Sequence, residues 1–348
     1  MKIATEDFAR LAAAAATTAK DKSPIPACTM VRLEAVGGTL TASATDMEYW
    51  LSMSAPCEGD MAPVMVLASK LNDVASKLKS DTVELSLDGD ALHLKAKGSK
   101  RKIAAMPADS FPQLPATGGD SVAVDAARLK ECFAYCLPYT KAGGREFEQG
   151  VRMTGNRLLS TNGHVIGQIN YGDIELPVAT VPIAWIKAFS AVVPDGEINL
   201  IVSDKAIAAE WPEGRISGPL IDGAYPDTDR ATPRNTETNA VLDAQALQAA
   251  VAGVRALSDG RSAVGLNIEA DGVDVFAKSQ QGEAVDRIDG TLEGEPLMIG
   301  FNADYLDRVM RGFGKASVQI GANGAAGAAL FTSNEASDRQ AVVMPMRI

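Results

Sequence analysis

Two patterns of hydrophobic and polar residues alternate along this chain, and each recurs three times. In the first pattern, a short apolar strand leads into an Ala- and Leu-rich helix, with an aspartate four residues before a leucine. The aspartates are 118 residues apart, as are the leucines: Asp7, Asp125 and Asp243, followed by Leu11, Leu129 and Leu247. One such aspartate is ordinary helix-capping chemistry, but three at equal spacing indicate an internal repeat.

The second pattern is another helix followed by a strand of alternating polarity. The helical periodicity covers residues 68–78, 182–193 and 303–313, and the strands follow at residues 83–87, 198–202 and 318–320. Between the two helices of the first repeat, residues 31–35 and 40–44 have the alternation of strands around a turn at residues 36–38. Each repeat is therefore predicted to have the order β-α-β-β-β-α-β-β-β.

Three units of about 116 residues account for the whole chain of 348 residues. Polar, Pro-containing stretches at residues 114–120 and 227–239 mark the junctions between them. We therefore predict an α+β protein of three repeated domains, with boundaries at 1–116, 117–235 and 236–348.

Composition narrows the class of protein. Apolar residues make up 46% of the chain, no apolar run approaches the length of a membrane span, and the net charge is −11. The first 22 residues resemble a signal peptide only in their alanine run, because Glu6, Asp7 and Arg10 interrupt it; an amphipathic helix is predicted instead. The four cysteines form no CxxC motif or disulfide framework, which favours a soluble protein of the reducing cytoplasm.

Catalytic chemistry has little support in the sequence. There are only two histidines, and the glycine-rich stretches at residues 143–145 and 321–327 lack the Gly-Lys-Ser/Thr of a phosphate-binding loop. Cys132 and Cys136 share one helical face and are expected in the core. We therefore predict no catalytic residues, no metal and no cofactor, and a binding or scaffolding role.

Several short strings identify a family by their order and spacing. They are Ser23–Pro26, Ala44–Met47 and Met106–Leu114 in the first third, Thr161–His164 and Leu220–Asp227 in the second, and Met298–Asn302 and Val342–Ile348 in the last. Over essentially the whole chain, they resemble the bacterial DNA polymerase III beta sliding clamp, of which this sequence is a divergent member.

The resemblance implies a head-to-tail homodimer, a ring of six domains with twelve helices around the hole and antiparallel sheets outside. Such a ring encircles double-stranded DNA without reading its sequence, is placed there by a clamp loader, and tethers the replicative polymerase, repair and translesion polymerases or mismatch-repair proteins. Basic residues of the helices and adjoining loops are then expected to face DNA: Arg10, Lys20, Lys22, Lys70, Lys77, Arg128, Lys141, Arg145 and Lys187. Ala256 and Leu257 are expected at the dimer joint.

The resemblance also implies a cleft that binds a short peptide with Gln and Leu/Phe anchors from each partner. The matching residues are Thr161, Gly163, His164, Val165, Ile166, Pro226, Arg230, Ala231, Val342, Met344, Pro345, Met346 and Arg347. Two positions of the cleft depart from the family pattern. Val165 replaces a frequent arginine, and Glu148 follows Phe147 where an aliphatic residue is usual, so that a carboxylate is expected beside the cleft.

Two other functions stay open at this point. The net charge of −11 and the sparse basic residues suit a clamp-fold paralogue that binds proteins as an adaptor or inhibitor without being loaded on DNA. A repeat-built hydrolase acting through carboxylates is disfavoured, because no acid–base pair is distinguished by its context.

Overall fold

The structure is a computed structural model that describes residues 1–258 and 262–348. Within these residues the chain forms six α-helices, which all begin directly after a strand. They are α1 (Thr5–Thr18), α2 (Ala68–Ala75), α3 (Ala126–Cys136), α4 (Ile183–Val192), α5 (Ala244–Arg255) and α6 (Ala303–Phe313). Helices α2, α4 and α6 thus lie where the periodicity predicts the second helix of each repeat, although α2 ends three residues early.

The strands of the first third are β1 (Lys2–Ala4), β2 (Met30–Val36), β3 (Thr39–Thr45), β4 (Trp50–Glu58), β5 (Met61–Leu67), β6 (Thr82–Asp88), β7 (Ala91–Ala96) and β8 (Ser99–Pro107). Those of the second third are β9 (Asp120–Asp125), β10 (Gly150–Gly155), β11 (Arg157–Thr161), β12 (Val165–Asn170), β13 (Leu176–Pro182), β14 (Glu197–Val202), β15 (Ala206–Trp211) and β16 (Gly214–Pro219). The last third contains β17 (Thr238–Asp243), β18 (Ala263–Glu269), β19 (Gly272–Ser279), β20 (Gly282–Ile288), β21 (Gly290–Gly294), β22 (Leu297–Asn302), β23 (Ser317–Ala322), β24 (Ala329–Thr332) and β25 (Arg339–Val343).

The repeat in element order is confirmed, but the predicted number of strands between the helices is wrong. Four strands separate α1 from α2 and α3 from α4, not three, and five are described between α5 and α6. The strand entering each second helix is hard to detect in the sequence. In β5, for example, Val64, Met65 and Val66 are consecutive buried residues, and a continuous apolar run that continues into a helix has no strand periodicity.

The first helix begins after the aspartate of the pattern in the second and third repeats, but not in the first repeat. Asp243 caps α5, where its carboxylate accepts a hydrogen bond of 2.7 Å from the Ala246 amide. Asp125 likewise directly precedes α3, but Asp7 lies inside α1, which begins at Thr5 without a side-chain cap. The strand Lys2–Ala4 also shortens the helix expected over the first 22 residues.

The chain divides into two units, the first formed by Met1–Ala127 with Ala184–Leu220 and the second by Arg128–Ile183 with Ile221–Ile348. The first unit contains one antiparallel sheet of twelve strands, in the order β1-β6-β7-β8-β5-β2-β3-β4-β16-β15-β14-β9. Helices α1 and α2 pack together in this unit, and Phe8 and Leu11 of α1 are fully buried. The predicted boundaries of three domains stay a prediction.

The second unit contains two antiparallel sheets, with the orders β13-β10-β11-β12-β25-β24-β23-β17-β21 and β20-β19-β18-β22. Phe301 and Phe331 meet edge to face in its core, with ring centroids 6.0 Å apart. Cys132 and Cys136 are fully buried as expected, and burial raises the pKa of the Cys132 thiol to about 12, so that it is unreactive near neutral pH.

One glycine of β12, Gly167, permits an aromatic ring to pack directly against this strand. The ring of Tyr139 is fully buried against the backbone of Gly167, and a Cβ added to this glycine would lie 2.0 Å from the ring. No side chain larger than hydrogen fits without displacing Tyr139. Gly167 therefore brings β12 and the segment after α3 into contact.

We expect Gly167→Ala to destabilise the protein by about 1–3 kcal/mol, because an overpacked core must shift its rings or strands. Urea and thermal unfolding followed by circular dichroism would measure the change. Gly118→Ala is the matched control, since nothing lies within 4 Å of a Cβ added there. Equal unfolding midpoints for the two variants would contradict the close packing at Gly167.

Candidate functional site

A cavity of about 190 Å³ opens in the second unit, where four segments of chain meet. Its lining residues are Arg145, Phe147, Thr161, Gly163, His164, Ile166, Pro226, Asp227, Thr228, Ala231, Val342 and Met344. Eight of these were predicted for the partner cleft: Thr161, Gly163, His164, Ile166, Pro226, Ala231, Val342 and Met344. An apolar cavity of about 150 Å³ holds a molecule the size of benzene, so this one suits a single large aliphatic or aromatic side chain.

The turn Thr161–His164 forms one wall and is fixed by its own side chains. The Thr161 hydroxyl donates to the Val165 carbonyl at 2.8 Å and accepts from the Gly163 amide at 3.0 Å. The Asn162 side chain accepts from the amides of His164 and Val165. Gly163 has φ +86°, a left-handed conformation that favours glycine. The Thr-Asn-Gly-His sequence thus specifies this turn residue by residue.

Pairing of β12 with β25 places the second wall. The register sets Ile166 opposite Val342 and Val165 opposite Val343, and the Met344 amide then donates to the His164 carbonyl at 2.9 Å. Two residues 176 positions apart in the sequence, Ile166 and Val342, therefore line one cavity. Met344 is 42% exposed, so its thioether side chain is available to a ligand.

The third wall is the loop around Pro226–Ala231, which is held to β11 by an ion pair. Both terminal nitrogens of Arg157 donate to the Asp229 carboxylate at 2.9 Å. These hydrogen bonds lower the pKa of Asp229 and raise that of Arg157. Within the loop, the Thr228 carbonyl accepts from the Ala231 amide and the Thr232 hydroxyl.

The fourth wall contains an ion pair that we call the Arg145–Glu148 clasp. One carboxylate oxygen of Glu148 accepts from Nε of Arg145 at 2.9 Å and from Nη2 at 2.7 Å, and the other accepts from the Arg145 amide at 3.0 Å. The guanidinium also stacks 4.7 Å from the centre of the Phe147 ring. Burial raises the pKa of Glu148, but the hydrogen bonds from Arg145 outweigh it and the net pKa is lowered.

The clasp corrects the expectation for Glu148. The residue is only 3% exposed and does not line the cavity. Its carboxylate is directed to Arg145, because a buried carboxylate without hydrogen bonds and a cation would be strongly unfavourable. The charged side chain on this wall is therefore a cation, Arg145.

Five residues predicted for the cleft lie outside the cavity lining. Val165 is buried in β12, and Arg230 is exposed beside Asp227, with 3.9 Å between its Nε and the carboxylate. Pro345, Met346 and Arg347 continue past the cavity to β22, where the Met346 amide donates to the Gly300 carbonyl at 2.9 Å. Residues 345–347 thus run along β22, at the edge of its sheet, and do not form the floor of the cavity.

Four lining residues are absent from the residue set predicted for the cleft: Arg145, Phe147, Asp227 and Thr228. Asp227 and Thr228 could have been found, since they fall between the predicted Pro226 and Ala231. Arg145 was predicted to face DNA. The resemblance had placed Phe147 and Glu148 on the wall of the cleft, but nothing in the sequence places Arg145 beside the Thr161–His164 turn, because that contact depends on strand pairing.

Most residues predicted to face DNA are exposed, as cations that bind phosphate would be. They are Arg10 on α1, Lys20 and Lys22 in the following segment, Lys70 on α2, Lys77 after it, Lys141 in the loop after α3, and Lys187 on α4. Three of them pair locally with acids: Arg10 with Asp7, Lys20 with Asp46 and Lys70 with Asp73.

Arg128 does not match the DNA-facing expectation, because its guanidinium is already used inside the second unit. It donates to the carbonyls of Asn170 and Tyr171, to Glu131 and to Asp338. Arg339 donates to both of these acids as well. The four charged side chains form a network joining α3 to β25, which we call the α3–β25 network.

The residues expected at the dimer joint lie at the C-terminal end of α5. Ala256 caps that helix and is exposed, while the half-buried Leu257 approaches Gly282 at the start of β20. Among the described residues, no group of three or more His, Cys, Asp or Glu side chains could hold a metal ion. In the same part of the chain, no helix has the length and apolarity needed to cross a membrane.

Comparison with known proteins gives a consistent family. Residues 1–115 match the family model for the DNA polymerase III beta subunit, N-terminal domain, and residues 229–347 match that for its C-terminal domain. The beta sliding clamp of Pseudomonas putida is 25% identical over 347 residues, covering 94% of each chain. That of Caulobacter vibrioides is 28% identical over 311 residues, covering 82% of each.

The fold agrees with solved structures. The DNA polymerase III subunit beta of Pseudomonas aeruginosa superposes with a TM-score of 0.91 at 24% identity, covering 100% of both chains. The same family is indicated by the internal repeat, by the short strings that carry the resemblance and by the two domain matches. The chain therefore belongs to the family of the DNA polymerase III beta subunit, the bacterial beta sliding clamp.

Proposed function

We propose that this protein is a DNA sliding clamp, a processivity factor that encircles duplex DNA and tethers a replicative polymerase through the cavity between β12 and β25. The observation that carries the proposal is this cavity, in which the Thr161–His164 turn and the end of β25 form an apolar site for one anchor side chain. A clamp needs no catalytic group of its own, since its task is to bind partners and remain linked to DNA. Its three domains correspond to residues 1–116, 117–235 and 236–348.

Strand pairing supports a head-to-tail homodimer. In the first two repeats, the third strand after the first helix pairs with the last strand of the following repeat: β4 with β16, and β12 with β25. In the third repeat, the third strand after the first helix is β20, which lies at the end of its sheet. The last strand of the first repeat is β8, which has no counterpart of this kind within the part of the chain that the structure describes. By the same rule, β20 of one copy pairs with residues 99–104 of β8 in a second copy. These residues pair with β7 on one side, and the pairing of β8 with β5 on the other side covers only residues 105–107.

The side chains of these two strands are complementary in charge. β8 carries Lys100, Arg101 and Lys102, whereas β20 carries the exposed acids Glu283 and Asp286. The one cation of β20, Arg287, is already paired with Asp271 and Asp274. Val285 between these acids is 60% exposed, which suits an interface better than water. Leu257 approaches Gly282 at the start of β20, which supports this edge as the joint.

The exposed cations on the helices and adjoining loops supply contacts to the DNA backbone. Local pairing of Arg10, Lys20 and Lys70 with acids weakens each contact, which suits a ring held by topology rather than by a tight phosphate grip. The same pairing and the net charge of −11 favour a second candidate, a clamp-fold adaptor or inhibitor that is not loaded on DNA. A clamp loader and repair, translesion and mismatch-repair proteins are the further partners of the first candidate.

We expect charge reversal at either strand edge to give monomers, and a mixture of the two variants to restore the dimer. The variants are Lys100→Glu with Lys102→Glu, and Glu283→Lys with Asp286→Lys. Each alone places like charges across both joints, which should weaken dimerisation at least about tenfold. In the mixed dimer, one joint is wild type and the other has both charges reversed.

Analytical ultracentrifugation of each variant and of the mixture would measure these states. Lys77→Glu with Lys79→Glu, two exposed lysines after α2, is the matched control and should remain dimeric. Unchanged dissociation constants in both edge variants would exclude this strand pairing.

Retention on DNA distinguishes the clamp from the adaptor. After loading by a clamp loader, we expect the wild-type protein to stay on nicked circular DNA and to leave linearised DNA at least about tenfold faster, because only a ring slides off free ends. Gel filtration, which separates labelled protein bound to DNA from free labelled protein, would give the dissociation rate from each template. No loading on either template, with partner binding intact, would favour the adaptor.

We expect Met344→Ala to weaken binding of a labelled Gln-Leu-x-Leu-Phe peptide by about 1–2 kcal/mol, or about 5- to 30-fold, since anchors in a desolvated site carry most of the binding energy. Met298→Ala is the matched control, because this methionine is 54% exposed on β22 and does not line the cavity. Fluorescence anisotropy would measure both affinities. Equal affinities of the Met344→Ala and Met298→Ala variants would show that the peptide does not bind in the cavity.

A further inference from the structure

We propose that the first unit contains a second peptide-binding site, at the start of β4, which takes a partner segment with one apolar side chain beside a lysine or arginine. This site goes beyond the proposed function, because its lining shares no residue with the cavity between β12 and β25. The inference starts from a turn that the chain forms twice, at residues 45–49 and again at residues 161–165.

The two turns match hydrogen bond by hydrogen bond. The Thr45 hydroxyl donates to the carbonyl four residues later at 2.9 Å and accepts from the amide two residues later at 2.8 Å. The Asp46 carboxylate accepts from the amides two and three residues later, at 3.0 and 2.7 Å. Thr161 and Asn162 make the same four bonds in the turn beside the cavity of the second unit. The first unit therefore contains the same structural element that forms one wall of that cavity.

The third residue of the first turn is strained. Met47 has φ +79°, close to the φ +86° of Gly163 in the second turn. A left-handed backbone is unfavourable for a residue with a Cβ, and strain of this kind clusters at binding and catalytic sites. The Met47 side chain is 47% exposed, so burial does not offset the strain. The left-handed Met47 thus favours a binding role for the first turn.

Strand pairing after the two turns is also the same. Trp50 lies opposite Ser217 of β16, just as Ile166 lies opposite Val342 of β25. Trp50 and Ile166 are each five residues after the threonine of their turn. Trp50 therefore takes the position of Ile166, and an aromatic side chain replaces an aliphatic one that lines the cavity of the second unit.

Trp50 lines a groove of about 410 Å³, which we call the Trp50 groove. Most of the lining is apolar, with Phe111, Pro112 and Leu114 on the segment that follows β8. Pro112 follows the last strand of the first repeat, as Pro226 of the second unit follows the last strand of the second repeat. The groove has about twice the volume of the cavity of the second unit, so an apolar side chain and the stem of a neighbouring basic one both fit.

Charge selects the basic neighbour. Arg32 lines the groove, but its Nη2 already binds the Glu34 carboxylate at 2.8 Å. Asp109 is an exposed lining residue, and Glu48 is exposed two residues before Trp50. Within residues 1–258 and 262–348, neither of these two carboxylates pairs with a cation. A lysine or arginine in the groove would gain a carboxylate partner and contact with the faces of aromatic rings.

The test uses two hexapeptides as probes, Ser-Gly-Leu-Arg-Gly-Ser and Ser-Gly-Leu-Gln-Gly-Ser. Fluorine NMR of the full chain labelled with 5-fluorotryptophan would follow binding at Trp50, and Trp50→Phe would assign its signal by removing it. The other two tryptophans, Trp185 and Trp211, lie outside the groove lining and serve as internal references. We expect a saturable shift of the Trp50 signal, with the Arg peptide bound about 3- to 10-fold more tightly than the Gln peptide.

Two variants examine the charge and the apolar contact separately. Asp109→Asn should lower the Arg/Gln affinity ratio below about twofold and leave the affinity for the Gln peptide unchanged, whereas Asp90→Asn, at an exposed acid outside the lining, should retain the ratio. Leu114→Ala should weaken binding of both peptides about 3- to 10-fold, because an apolar contact is lost. Ile174→Ala is its matched control, since Leu114 and Ile174 are both 39% exposed and only Leu114 lines the groove.

Met344→Ala separates this inference from the proposed function, since it should leave the Trp50 shift unchanged. A shift that disappears in this variant would place the hexapeptides in the cavity of the second unit and overturn the second site. The second site would also be overturned if neither peptide shifted the Trp50 signal in a saturable way. Equal affinities for the two peptides, or a ratio that survives Asp109→Asn, would overturn the preference for a basic side chain. Loss of Gln-Leu-x-Leu-Phe binding alone, with the Trp50 shift intact, would count only against the proposed function.

Discussion

The register between β12 and β25 is the constraint on which the site depends. It sets Ile166 opposite Val342, and it ends where the Met344 amide reaches the His164 carbonyl. A shift of one residue would turn Val342 and Met344 to the other face of the sheet and remove the apolar wall of the cavity. Gly167 contributes by letting Tyr139 pack against the middle of β12. Strand pairing and core packing thus specify the position of residues that are distant in the sequence.

Electrostatics determines what kind of cavity this register produces. A glutamate buried beside an apolar site would normally disfavour folding, but three hydrogen bonds from Arg145 compensate Glu148 and lower its pKa. The pair converts a wall that would otherwise be apolar into one that presents an oriented cation. Arg157 and Asp229 fix the opposite loop in the same manner. Both polar walls are therefore held by ion pairs of matched geometry.

The sequence predicted the repeat, the helices and much of the cavity, because each depends on local pattern or on strings with a local structural meaning. The Thr161–His164 turn is an example, since its side chains bond to its own backbone. The strand preceding α2 escaped prediction because its buried run lacks alternation. The ion-pair partners of Arg145, Arg128 and Glu148 could not be predicted for a common reason: the partner of a charged side chain is set by tertiary contact, which periodicity does not contain.

The α3–β25 network has a consequence for how the protein would respond to ionic strength. Arg128 and Arg339 are mostly shielded and bind Glu131 and Asp338 through short hydrogen bonds, which dissolved ions screen weakly. Exposed lysines facing a phosphate backbone lose their attraction steeply as ions are added. Strand β25 would therefore keep its geometry at salt concentrations high enough to release the helices from nucleic acid. Concentrated electrolyte would then separate partner binding from DNA contact in a single, folded molecule.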